Sequence, residues 1–352
     1  MDDAISDSLA VQAAGAGKEP LRFYTRDQDD GETIRLFSER DLIELGLQGL
    51  YAGTAAFAPR DRWAGVARRL ALLRIAKHRR KHYHVFADAV EAALGEQGPD
   101  KTYALFQRWR CRLHERRLSV MADLVSRTRP EFNIAGGYAL DRSVAAGKGV
   151  ILWSLQFAFH SLAGKRGLSE AGYRINQVSS DLHGPTHTTF GRAVTNKSAI
   201  MAENRYLAER LVFGADEGPA VLRRALRVLN KGGIVNFTNT TYSGRSFVEM
   251  PFGKAAYVHM PVTPVALAAA HGIPLHVVFT AAKAPFAAYH IAVSDDLTAG
   301  LGGAGRRDIA ALEPVFLAAR DRLLDAVQQY PDQYLPWGNI KTARSGPVID
   351  AA

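Results

Sequence analysis

GKGVILWSLQFAFHSLAGKRGLSEAGY, residues 147 to 173, changes texture half-way along. Val150 to Leu155 is a compact apolar run with β-prone residues, as in a strand buried on both faces. From Ser161 the pattern turns helical and is closed by Gly172. A buried strand feeding a helix is the repeating unit of a parallel α/β sheet.

The same alternation continues toward the C-terminus. YRINQVSS (173–180), GIVNFTNT (233–240), PLHVVFTAA (274–282) and YHIAVSD (289–295) read as strands, while PAVLRRALRVLNKG (219–232) and VTPVALAAAHG (262–272) read as helices. A last helix is expected over Ile309 to Gln329. The expected fold class is therefore α/β, with a central, mostly parallel sheet flanked by helices. Upstream, about 39 to 130 carries apolar residues at three- and four-residue spacings and reads as a helical N-terminal layer, with Pro99 and Asp100 separating two long helices. With no internal repeat or long linker, 39–345 is expected to be a single domain: helical layer 39–130, α/β core 131–345. Residues 1–38 are expected to be a disordered tail.

The chain has 352 residues, 47% of them hydrophobic, enough for a large buried core. Cys111 is the single cysteine, which excludes an intramolecular disulfide framework and fits a reducing compartment. The acid-bearing N-terminal stretch lacks the basic and apolar regions of a signal peptide. Leu42 to Ala58 is the most membrane-like segment, but it holds Glu44, Gln48 and three glycines and falls short of the roughly 20 apolar residues of a spanning helix. A cytoplasmic protein, peripheral on the inner face of a membrane at most, is the expectation. The formal charge is +9, with bases crowded into 68–84 and again between Arg108 and Arg117. Such clusters suit an anionic membrane surface or an acidic carrier protein. No nucleic acid is expected, since no recognised binding motif accompanies the charge.

In order, several blocks resemble the lipid A acyltransferases of the lysophospholipid acyltransferase superfamily. Gly147 to Val150 match the lead-in to that family's His-Phe-x-x-x-Glu block, and Gly172 with Tyr173 match its exit. VLRRALRVLNKGGIVNF (221–237) resembles the following helix, Gly-Gly turn and strand. GRSFVEMPFGKAAYVHMPVTPVALAAAHGIPLHVVF (244–279) and PDQYLPWGNI (331–340) resemble the remaining blocks. The resemblance spans roughly 40 to 340 and implies a glycerolipid-acyltransferase-like fold. It also implies transfer of an acyl group from acyl carrier protein or acyl-CoA to a hydroxyl or amine, with no other cofactor.

The chemistry departs from that pattern. In the family a His, oriented by a carboxylate, takes the proton of the attacking acceptor. Alignment on Phe157 puts Gln156 in place of the His and Ser161 in place of the Glu, and Thr238, Asn239, Thr240 and Thr241 replace a later acidic pair. Gln156, Ser161, Asn239 and Thr240 remain candidates for binding substrate, and Arg245, after Gly244, suits a phosphate through its planar fork.

Three residues are candidate substitutes for the missing base and acid. His160 lies where the strand gives way to a helix and is either a base or a packed histidine. SSDLHGPTHTTFGRA (179–193) brings Asp181 and His183 close in sequence, the makings of a base with its orienting acid, although turn chemistry is the commoner explanation of such a segment. Two imidazoles and a carboxylate there are the makings of a zinc site, but nothing fixes a third ligand, and no metal is expected. The expectation is an acyltransferase with a substituted catalytic motif. The alternative is a non-catalytic relative that binds lipid or carrier as a scaffold.

Overall fold

The computed structural model describes residues 8–10, 21–25, 34–125, 129–181, 183–214, 217–240, 246–301 and 310–343, with side chains except at 8–10, 25, 76–81 and 310. In chain order the elements are β1 (Ser8–Ala10), β2 (Arg22–Thr25), α1 (Glu39–Phe57), α2 (Trp63–Leu94), α3 (Pro99–Val125), β3 (Glu131–Ala135), α4 (Gly137–Ala145), β4 (Val150–Ser154), α5 (Lys165–Glu170), β5 (Ile175–Ser180), α6 (Lys197–Asn204), β6 (Glu209–Phe213), α7 (Gly218–Leu229), β7 (Ile234–Thr238), β8 (Ser246–Phe252), β9 (Ala256–Pro261), α8 (Thr263–His271), β10 (Leu275–Ala284), β11 (Ala288–Val293) and α9 (Glu313–Gln329).

Seven strands form the main sheet in the order β3-β11-β10-β4-β7-β5-β6. Every pairing in it is parallel except β10 with β11. This is the mostly parallel sheet flanked by helices that the alternating sequence pattern implies. Side chains alternate across it. Ile151, Trp153, Val235 and Phe237 enter the large core with α2, α7, α8 and α9, while Val150, Leu152, Ile175 and Ile234 pack with Leu140 of α4 and Leu168 of α5. Gly149, at φ +76°, leads into β4, and a Cβ there would lie 2.4 Å from the Leu229 carbonyl oxygen. That close approach between β4 and the end of α7 is open only to glycine.

A second, four-stranded sheet, β1-β2-β8-β9, is antiparallel throughout and lies outside the sequence expectations. Within the expected tail, Arg22–Thr25 pairs with β8, and Leu21 and Phe23 are buried in the main core. An apolar residue at every second position is what lets this short segment join a sheet edge. Residues 1–7, 11–20 and 26–33 of the expected tail lie outside the described residues.

Helices α1 to α3 occupy 39 to 125. Among the described residues no helix is long and apolar enough to cross a membrane. The final segment pins the main sheet near β4. The Gln333 side-chain amide accepts from the Ala282 N–H at 2.8 Å and donates to the Ala282 carbonyl at 3.0 Å. The Gln333 and Gln156 carbonyls accept from Ala158 N–H and Leu335 N–H, at 2.7 and 3.0 Å. Tyr334 and Trp337 are buried behind them. The polypeptide leaving β4 is thereby held as part of the packed core.

Candidate functional site

On the α4/α5 side of the sheet, the C-terminal halves of β4, β7 and β5 turn polar. Ser154 Oγ donates to Asn236 Oδ1 at 2.8 Å, and Asn236 Nδ2 donates to Gln177 Oε1 at 2.6 Å, all three side chains being buried. Ser179, two residues on from Gln177, accepts from Arg210 Nη1 of β6 at 3.2 Å. The carboxyl ends of parallel strands are where α/β folds place ligands. A row of buried polar groups there follows the apolar starts of β4 and β7, while β5 is already polar at Asn176.

Arg210 leads to a buried ionic centre. Its Nη2 lies 2.8 Å from Glu203 Oε2, and Lys165 Nζ, from the start of α5, lies 2.6 Å from the same oxygen. The other oxygen, Oε1, lies 3.1 Å from His183 Nε2. Burial alone would push the Glu203 carboxyl up, but Lys165, His183 and Arg210 outweigh it and hold the group well below the usual carboxylate range. Glu203 is therefore ionised and grips one nitrogen of His183. The second nitrogen, Nδ1, has no hydrogen-bond partner among the described residues, and the side chain is 28% exposed. An imidazole oriented by a carboxylate at one nitrogen and open at the other is the geometry of a general base.

His160 sits in a single wide π-type turn, His160–Gly164, between β4 and α5. Its Nδ1–H donates to the Phe157 carbonyl at 2.6 Å, which leaves Nε2 as an acceptor. Burial, and then the nearby charge of Arg116, pushes its pKa down to about 3. The ring is thus neutral and fixed in orientation, but among the described residues no carboxylate is hydrogen-bonded to it to stabilise an imidazolium.

The other expected site residues fall as follows. Asp181 does not orient His183: it points outward and pairs with Arg192 at 3.0 Å. Although only two residues apart, the two side chains take different partners, and the acid that meets His183 comes from α6. Asn239 Oδ1 accepts from Gln156 N–H at 2.8 Å, so this side-chain amide ties the end of β7 to the chain leaving β4. Thr240 follows, partly buried. Ser161 is buried and lines a cavity of about 30 Å³ with Arg116, Asp123, Arg166 and Phe132. That is room for a water molecule or two. Arg245 and Thr241 lie outside the described residues.

No family model and no curated protein sequence matches the chain. The site therefore has to be read from its own atoms. Glu203, Lys165 and Arg210 were missed by sequence reasoning, and no local signal announces them: Glu203 lies 20 residues from His183, in α6. Among the described residues no group of three or more His, Cys, Asp or Glu side chains converges as a metal site would.

Proposed function

We propose that the protein transfers an acyl group from a thioester, carried by acyl carrier protein or coenzyme A, to an amine or hydroxyl acceptor, with His183 as base and Glu203 as its orienting acid. The observation that carries this reading is the His183–Glu203 pair, open at Nδ1, at the carboxyl end of the main sheet. In the step envisaged, the acceptor's nitrogen or oxygen attacks the thioester carbonyl as Nδ1 takes its proton. The C–S bond then breaks, and the proton passes to the departing thiolate. His160, neutral and with Nε2 left as the acceptor nitrogen, is assigned the part of orienting the incoming N–H or O–H. The resemblance of residues 40–340 to lipid A acyltransferases supports the choice of an acyl thioester.

This reading takes α1 as the contact to an anionic membrane surface. Between Leu42 and Pro59 the only charged residue is Glu44, which is buried against Arg117, whereas Leu42, Ile43, Leu50 and Phe57 face outward. Arg40, Arg60, Arg62, Arg68 and Arg69, close to α1 in sequence, are exposed, as are the acids Glu39 and Asp61. Exposed apolar side chains with an excess of bases near them in sequence suit an anionic lipid interface. Of the basic 68–84 segment, the side chains of 76–81 lie outside the described residues.

The second reading, a scaffold that binds lipid or carrier without turnover, is favoured by one observation. Glu203 is already shared by Lys165 and Arg210, which reduces what it lends to an imidazolium. Incubation with acyl carrier protein thioesters and an acceptor pool separates the two by intact mass. Acceptor-dependent loss of the acyl group supports transfer, and retention of the thioester on a carrier that stays bound supports the scaffold.

A further inference from the structure

Helices α1, α2 and α3 meet around a buried Tyr51–His114 pair, hydrogen-bonded from the tyrosine hydroxyl to Nδ1. Arg110 and Arg117 lie one turn either side of His114 on the same face of α3, and Arg74 reaches the same place from α2. Glu44 answers Arg117 at 2.9 Å. Arg74 and Arg110 have no acid and no hydrogen-bond acceptor among the described residues, and Arg110 only rests over the Trp109 ring, 5.8 Å from its centroid. All three guanidinium-bearing residues are partly buried. Burial, then Arg74 and Arg117, pull the Arg110 pKa down, and burial with Arg117, Arg110 and Arg74 pushes His114 to about 3. Three cations thus share one carboxylate in a half-desolvated junction, an arrangement that is repulsive as it stands.

We infer that Arg74, Arg110 and Arg117 form a binding site for a phosphate group, with Arg74 and Arg110 supplying the unsatisfied donors. Paired guanidinium forks match phosphate oxygens bidentately, and a dianion placed among them replaces like-charge repulsion with charge-assisted hydrogen bonds. The site is separate from the His183–Glu203 pair and does not rest on the proposed transfer. A soluble phosphate compound and a lipid headgroup present the same chemistry. Leu50 and Leu73, each the sequence neighbour of a cluster residue, are exposed, which makes both sources worth testing.

The test is titration calorimetry of the full chain with inorganic phosphate and with pyrophosphate, together with sedimentation of the chain with phosphatidylcholine vesicles containing or lacking phosphatidic acid. Each is repeated on the Arg74→Gln/Arg110→Gln variant. Saturable binding of a soluble anion, weakened at least tenfold in the variant, supports a soluble phosphate ligand. Binding only to phosphatidic acid vesicles, weakened equally in the variant, supports a lipid phosphate. No binding in any arm, or equal binding by the variant, overturns the site. The variant loses two mutually repelling charges and is expected to melt no lower than the parent, which serves as its folding control. Should it fail to fold, the parent alone decides. A bound anion offsets the cations around His114, so the imidazole NMR signals must titrate at higher pH with pyrophosphate present, and an unchanged titration overturns the proposal.

Discussion

At the scale of single residues, Glu203 is the group on which most converges. Removing its charge leaves Lys165 and Arg210 buried without a counter-ion, and breaking a buried pair from one side costs about 3–5 kcal/mol. Glu203→Gln is therefore expected to lower urea stability by that amount, and an unchanged midpoint would show the centre to be more hydrated than its burial implies. The two low histidines set the acid limb. His114 and His160 sit at about 3 in the folded chain against about 6.5 when unfolded, so below about pH 6.5 the unfolded chain binds protons that the folded chain refuses. Stability is fully present above that pH and falls on the way down to about 3. Glu203 adds a loss below its unfolded value of about 4.3. Urea midpoints measured from pH 7.5 to 4.5 are expected to fall, with a shallower slope in His114→Gln. None of this was legible in the sequence: Asp181 stands two residues from His183 and looks like its partner, yet the carboxylate that meets it arrives from α6.

Among the elements, those with short, β-prone and mostly apolar runs were legible: β4, β7 and β10 follow from such runs, and α7 and α8 from helical spacing. The β8–β9 hairpin was not, because SFVEMPF carries Glu249 and Pro251 inside a strand whose interior is nonetheless buried. Glu249 is accommodated by hydrogen bonds from Tyr24 at 3.2 Å and His259 at 2.9 Å, partners that only tertiary structure supplies. The C-terminal segment shows what its Gln and aromatic residues are for. Gln333→Ala leaves both backbone groups of buried Ala282 unpaired, and is expected to cost about 2–4 kcal/mol in chemical denaturation. A cost under about 0.5 kcal/mol would mean that water replaces the amide. For α1, whose apolar side chains point outward, Leu42→Gln with Ile43→Gln is expected to leave stability unchanged and weaken binding to anionic vesicles at least tenfold. Unaltered vesicle binding would remove α1 from the membrane contact.

Across the whole molecule, helices followed by an alternation of strands and helices could be read from periodicity, because burial on a parallel sheet imposes apolar runs on its strands. The second sheet and the ionic centre could not, since both are assembled from segments far apart in the chain. The main sheet carries polar side chains at its carboxyl end, and beside them an imidazole held by a buried carboxylate. Acyl transfer at that place is the central claim. It is tested most directly by comparing the chain with its His183→Asn variant for acceptor-dependent loss of the acyl group from acyl carrier protein, followed by intact mass. General-base catalysis contributes about 10²–10⁴-fold, so the variant is expected to be at least about 100-fold slower with its fold intact. Equal rates in the two, or no acceptor-dependent loss with the parent, would contradict the account.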